Sequence, residues 1–310
     1  MTREITMGPG REFELIRDML FRWGDRAFGV GDDAATLEGF RGGRLVLSTD
    51  SSVEHVHFRR AWMDAREIGY RATAAALSDL AAMAASPVGV LVAMSVPEDW
   101  LPELGDVADG IGEAVGDVGA RILGGDMTAG RDLALTITVL GHSAEPLSRA
   151  GARAGDAIYV TGRFGGPAAA LKALREGERP DPVSRFRFAH PVPRIREAQW
   201  LAEHGAHAAI DVSDGLLADT LHMAYASNVR VTLDLDELPT LGGMPPADAA
   251  RSGEEYELIV SAPHGLDTEA FEEELGTPLS QVGRVEAGKA GVVATQAGER
   301  VSSFGGYSHF

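Results

Sequence analysis

The segment "DAREIGYRATAAALSDLAAMAASP", Asp64 to Pro87, constrains the fold more than any other stretch of this chain. Asp64 precedes Glu67 by three residues, a capping-box spacing that predicts a helix start, and Pro87 marks the stop. Alanines fill the helix between them. With so little side-chain volume, the helix is expected to lie close against a sheet.

Strand patterns surround it. "RLVLSTDSSV" reads as a short strand whose apolar part ends at Ser48, Thr49 and Asp50. "GVLVAMSVP" and "DLALTITVLGH" are further strands, with a helix at "ELGDVADGIGEAVGDVGA" between them. Phe13, Ile16, Leu20 and Trp23 recur at helical spacing near the start. After "GHSAEPLSRAGARAGD" the alternation resumes: strand "DAIYVTG", helix "PAAALKALREG", a proline-rich connection "ERPDPVSRFRFAHPVPR", helix "REAQWLAEH", strand into "AIDVSDG", helix "LLADTLHMAYAS", then strands "RVTLDL", "YELIVSA" and "SQVGRVEA". The expected fold class is α/β (α+β) with two domains, 1–145 and 146–310, each a sheet flanked by helices. A chain of 310 residues is also longer than one core usually supports.

The chemistry concentrates in carboxylates. Asp32 and Asp33 sit in a glycine-marked turn, Asp50 ends a strand pattern, Asp126 follows Gly124 and Gly125, and Asp211 and Asp214 lie in "AIDVSDGLLAD". Asp79 interrupts the alanine-rich helix. Strand ends in α/β proteins open toward ligands. Singly, each Asp reads as a cap or turn residue, Asp214 above all. Asp211 and Asp214 have no Lys or Arg near them in sequence, so one must take a proton or both must share a metal. Together with the hydroxyls of Ser48, Thr49 and Ser213 and the glycines Gly31 and Gly125, the set favours hard oxygen ligation, for which Mg²⁺ is suited. Bound metal would also let a chain of net charge −18 hold an anionic nucleotide.

That charge argues against nucleic-acid binding. Without cysteine there is no disulfide, thiolate metal site or cysteine nucleophile. No signal-peptide core and no run of about 18 apolar residues is present, so a cytoplasmic location with no membrane association is expected. There is no P-loop motif. "DVSDG" lacks the first glycine of a nucleophile elbow, and "HVHF" and "EHGAH" lack a zinc-helix spacing. "TGRFGGPAAA" reads first as an ordinary strand-to-helix turn and second as a phosphate cradle.

"GDDAA", "STDSSVEHVHF", "LSDLAAMAASP", "GGDMTAG", "SRAGARAGDAIYVTG", "AIDVSDGL", "SGEEYEL" and "FGGYSHF", in that order over essentially the whole chain, resemble the thiamine-monophosphate kinase family of the aminoimidazole ribonucleotide synthetase-like superfamily. The resemblance implies a homodimer formed through the N-terminal domain, with the C-terminal domain closing the cleft. It also implies Mg²⁺-dependent, direct in-line transfer of a phosphoryl group from ATP to thiamine monophosphate, giving thiamine diphosphate and ADP. By position, Asp33, Thr49, Asp50, Asp79, Asp126, Asp211 and Asp214 would hold several magnesium ions with Ser48 assisting. Asp50, Asp126 and Asp211 would be central to catalysis. Gly125, Asp126, Arg149 and Ser213 would contact the nucleotide, and His57, Glu254 and Phe304 would line the thiamine pocket. An acceptor that is already a phosphate oxyanion needs no general base.

Three positions depart from the family pattern. Ser252 stands where a glycine is common, Glu255 where an aspartate is, and Met127 where a small hydroxyl residue is. Alternatives are another ATP-dependent superfamily enzyme acting on a different acceptor, a non-catalytic ATP- and Mg²⁺-binding protein, and a two-metal phosphatase. The cysteine-dependent members are disfavoured by the lack of cysteine.

Overall fold

A computed structural model describes residues 34–38 and 43–301. The helix expected near residues 13–23, Asp32, Asp33, Phe304 and "FGGYSHF" lie outside the described residues.

Two sheets organise the chain. The first contains β1 (Ala35–Glu38), β2 (Arg44–Val53), β3 (Ser86–Val96), β4 (Ile122–Ala129) and β5 (Ala134–Ser143), in the order β1-β2-β5-β3-β4. Among the described residues, only the β3/β4 pair of this sheet is parallel. The second contains β6 (Ala157–Thr161), β7 (Ala208–Asp211), β8 (Arg230–Asp234), β9 (Leu258–Ala262), β10 (Leu279–Glu286), β11 (Gly291–Gln296) and β12 (Glu299–Arg300), in the order β12-β11-β8-β10-β6-β9-β7. Helices pack on both, which makes the architecture mixed α/β.

Helix α1 (Ala65–Ala82) joins the two layers. The side chain of Asp64 accepts the Glu67 N–H at 2.8 Å and that of Glu67 accepts the Asp64 N–H at 3.0 Å, the reciprocal cap its sequence predicts. Most of its circumference is buried, since it is wedged between the first sheet and elements of the second half. Alanine permits that approach. Helix α2 (Leu104–Asp117) crosses it where Gly110 would, with a Cβ, stand 1.9 Å from the Arg66 carbonyl oxygen, and Gly69 likewise 2.1 Å from that of Val107. One apolar core runs through α1, from Val46, Leu80 and Ile137 to Ala198, Leu201 and Ala209.

Helices α3 (Gly166–Glu176), α4 (Pro182–Ala189), α5 (Ile195–Glu203) and α6 (Leu216–Ser227) belong to the second half. Strands β6 and β9 are buried on both faces, as their unbroken apolar runs require.

The sequence reading differs from the structure in several elements. Strand β2 runs on to Val53, so Asp50 lies within it, because paired Thr and Ser suit a ladder as well as Val does. "ILGGDMTA" is strand β4, with Asp126 inside it. The "proline-rich connection" contains α4, whose start is Asp181 accepting the N–H groups of Val183 and Ser184, with Pro182 in the first turn. Strands β11 and β12 complete the second sheet beyond the last expected strand. No helix among the described residues is long and apolar enough to cross a membrane.

Candidate functional site

Neighbouring positions on α1 bring the two halves together. The Ser48 hydroxyl, on β2, donates to Asp79 Oδ2 at 2.5 Å, and the Ser78 hydroxyl donates to Asp211 Oδ2, at the end of β7, at 2.7 Å. Asp79 therefore meets the first sheet while its neighbour Ser78 meets the second. Strand alternation puts Ser48 and Asp50 on the helix side of β2 and Thr49 on the opposite side, where its hydroxyl lies 3.0 Å from that of Thr138.

The loop after β7 gathers several carboxylates. Asp219 Oδ2 accepts the N–H groups of Ser213, Asp214 and Gly215, each at 3.1 Å, so the start of α6 is capped from within the helix. Gly215, not Asp214, occupies the cap position, at φ 118°. Burial, then the charges of Asp214 and Asp211, push Asp219 well above the usual carboxylate range, with Arg149 opposing. Arg149 thus stands beside this loop although 62 residues of sequence separate it from Asp211.

The segment after Gly253 forms the opposite wall. Glu254 and Tyr256 hold left-handed backbone at φ 57° and 52°, so the chain zigzags. The Glu254 N–H donates to the Ser213 carbonyl at 2.7 Å and the Tyr256 N–H to that of Val212 at 2.9 Å, which fastens this segment to the Asp211–Asp214 loop. Asp50, Ser52, His57, Arg71, Glu254 and Tyr256 line a cleft with an empty volume of about 240 Å³. Burial, then Glu254, raise the Tyr256 hydroxyl well above its usual range, with Arg71 opposing and Asp50 and Asp211 adding to the rise. The acidic end and the His57/Glu254 end are therefore electrostatically one site.

Beneath it lies a buried ion network. Glu257, fully buried, accepts from Arg194 Nε at 2.7 Å and Nη2 at 2.6 Å and from Thr161 Oγ1 at 2.7 Å, and Arg187 Nη2 stands 2.7 Å away. Burial alone would raise its carboxyl, but Arg194 and Arg187 prevail and hold it down to about 2. Two of the three family-pattern departures, Ser252 and Glu255, find a use here. Glu255 Oε1 accepts the Gly165 N–H at 2.6 Å and Ser252 Oγ accepts the Ala168 N–H at 3.2 Å. These bonds occupy donors at the start of α3, which supports the ordinary-turn reading of "TGRFGGPAAA" over a phosphate cradle.

Burial raises Glu255 to about 7, against the pull of Arg187 and its hydrogen bonds. A carboxyl raised on folding binds its proton more tightly in the folded state, so stability falls as pH rises from its unfolded value near 4.5 through about 7. Glu255→Gln removes that dependence. Its stability relative to the parent should rise between pH 5 and pH 8 by at most about 3 kcal/mol, read from urea unfolding at both pH values. A difference that does not change with pH would refute the assignment.

Ser48, Asp50, Asp79, Asp211, Asp214, Ser213 and Arg149 gather around α1 and the loop after β7, with His57 and Glu254 adjoining. Gly125 and Asp126 lie elsewhere. Asp126 shares a transverse row with Ala93, Thr136 and Ser51, three strand spacings or about 14 Å from the last. Among the described residues no three carboxylates or histidines converge on a position that would hold an ion. Sequence reading missed Arg71, Ser78, Asp219, Tyr256 and Glu257. Asp219 left a signal, an acidic residue in the first turn of a helix, and Ser78, Tyr256 and Glu257 lie inside "LSDLAAMAASP" and "SGEEYEL", stretches that carry the family resemblance.

Family models for AIR synthase related proteins match this chain twice, the N-terminal domain at residues 31–143 and the C-terminal domain at residues 153–296. Thiamine-monophosphate kinase of Salmonella typhimurium is 35% identical, covering 97% of this chain and 96% of the relative. A solved structure of AaThiL complexed with AMPPCP and TMP superposes with a TM-score of 0.84 at 27% identity, covering 99% of this chain and 100% of that one. That of thiamine-monophosphate kinase from Stenotrophomonas maltophilia K279a gives 0.76 at 34% identity, covering 96% and 100%.

Proposed function

We propose, from the premise that this chain belongs to the AIR synthase related family and within it to the thiamine-monophosphate kinases, that it transfers the γ-phosphoryl group of ATP to the phosphate of thiamine monophosphate, releasing ADP and thiamine diphosphate. The observation that carries this reading is the pair of hydrogen bonds, Ser48 to Asp79 and Ser78 to Asp211, that draws acidic residues of both halves to one cleft. The neighbour complexed with AMPPCP and TMP supports ATP as co-substrate.

Phosphoryl transfer to a phosphate asks a protein mainly for alignment and charge neutralisation. Asp50, Asp79, Asp211 and Asp214 offer only oxygen donors, and the charges of Asp214 and Asp211, which add to burial in raising Asp219, are what a nearby dication would offset, so this set suits magnesium. Asp33 is assigned to the same set. Magnesium, when bound, supplies positive charge against phosphate oxygens. Ser48 and Ser78 orient two of the carboxylates, and Asp219 holds the backbone of Ser213 to Gly215 in place. Arg149 donates to nucleotide phosphate. His57 and Glu254, with Phe304, take the thiamine moiety, a cation that an acidic and aromatic wall accommodates.

The working form is a homodimer. Strand β4 is exposed along its length, and Ile122, Leu123 and Met127 are each more than half exposed beside Leu91. An apolar edge of that kind is what a second copy covers. Dimerisation also gives Asp126 a place, since its own chain holds it away from Asp211: it serves the cleft of the second copy. The division at 145/146 and a cytoplasmic location complete the reading.

Purified protein mixed with ATP, Mg²⁺ and thiamine monophosphate should form thiamine diphosphate, detected by chromatography, and EDTA or omission of ATP should abolish it. ADP release without thiamine diphosphate would refute the acceptor.

A further inference from the structure

The geometry points to Arg71 as a positioning residue for the acceptor, one that sets its affinity by locking Glu254 against the His57 loop. This rests on the reading of His57 and Glu254 as acceptor-side residues.

Arg71 lies on the same stripe of α1 as Ser78 and Asp79, seven and eight residues earlier, or about 11 Å along the axis. One face of one helix therefore serves both ends of the cleft. The residue is 4% exposed. Its Nη1 donates to the His57 carbonyl at 2.8 Å, and its Nη2 donates to Glu254 Oε2 in an ion pair. The guanidinium lies 4.5 Å from the ring centre of Phe188, on α4. His57 follows the first sheet, whereas Glu254 and Phe188 belong to the second half, so one buried cation ties the two halves together at the cleft.

Glu254 needs such a tie. Its left-handed backbone is strained for a residue with a side chain. Its side chain is 30% exposed, so without a partner the carboxylate can turn to water. The Arg71 guanidinium holds it on the cleft wall and fixes its distance from the His57 loop. A planar fork serves two acceptors at once, which an ammonium on a flexible stem does less well. This arrangement predicts an effect on acceptor binding that leaves the acidic end of the cleft in place.

Arg71→Met should raise KM for thiamine monophosphate by one to two orders of magnitude, with kcat within about threefold and KM for ATP within about twofold of the parent. Arg71→Lys should recover most of the loss, since an ammonium still reaches Glu254. In a Glu254→Gln background the Arg71→Met change should add less than about threefold. Calorimetric titration with thiamine monophosphate in the absence of ATP should show the same ranking.

Equal losses in kcat and both KM values, a lysine variant no better than methionine, or full additivity with Glu254→Gln would each overturn the inference. If Glu254→Gln raises KM for the acceptor and Arg71→Met does not, the positioning role alone fails. If neither Glu254→Gln nor His57→Ala changes that KM, the acceptor-side assignment itself fails.

Discussion

Asp211→Asn is expected to leave a folded protein whose turnover has fallen by about 10³-fold or more, equivalent to some 4 kcal/mol of transition-state stabilisation. Asparagine keeps the shape and an oxygen to accept the Ser78 hydroxyl, so the link between α1 and β7 survives. The charge is lost, and with it a carboxylate assigned to magnesium. Stability should not fall, because Asp211 is one of two neighbouring charges that raise Asp219. A site that assembles like charges gives up stability for function, and neutralising one of them returns some of it. Turnover within tenfold of the parent would remove Asp211 from the reacting centre.

The same variant tests the dimer. Asp126→Asn should also be inactive. If Asp126 serves the cleft of the second copy, mixing the two inactive variants under exchange conditions yields mixed dimers with one intact cleft and one doubly altered. Random exchange makes half the dimers mixed, so about a quarter of the parent activity should return. No recovery, with subunit exchange verified, would show that Asp126 does not serve the second copy's cleft.

The largest effect on stability is expected at Glu257. Glu257→Ala leaves the guanidinium groups of Arg187 and Arg194 buried, their side chains only 13% and 12% exposed, without their main counter-charge. Breaking a buried pair from one side costs roughly 3–5 kcal/mol, because the remaining charge keeps its desolvation penalty. Arg194 retains Glu197 at 3.1 Å and Arg187 retains Glu255 at 3.4 Å, which holds the loss within that range. Urea unfolding at pH 7 measures it. A loss under about 1 kcal/mol would mean that water or rearrangement supplies the missing partner.

Parts of this architecture were legible because their signals are local. The capping box at Asp64 and Glu67, the apolar runs of β6 and β9, and the stop at Pro87 each lie within a few residues of what they control. The recurrence of Asp beside Ser, Thr and Gly marked acidic residues, several of which the fold brings near one another. Other parts carried no local signal. "STDSS" is polar on both faces, so nothing in it says which side of β2 looks toward α1. Arg71 sits in an alanine-rich helix where the acid at i,i+4 spacing, Glu67, suggests a local pair and nothing suggests Glu254, 183 residues away. Prolines flanking α4 concealed a helix that Asp181 and Pro182 in fact start.

Residue type and short-range periodicity, acting through backbone propensity, were enough to locate many of the helices and strands and to single out the recurring carboxylates. Tertiary packing decided which of those carboxylates meet. Wedging α1 between two sheets brings Asp79 to Ser48 and Asp211 to Ser78, while the width of the first sheet keeps Asp126 about 14 Å from Ser51. Packing also decided how tightly carboxyls bind their protons, since burial raises Asp219 and Glu255, whereas Arg194 and Arg187 overcome burial to hold Glu257 low. A carboxylate's identity is written in the chain, but its charge depends on the solvent and the counter-charges that only the folded molecule places around it.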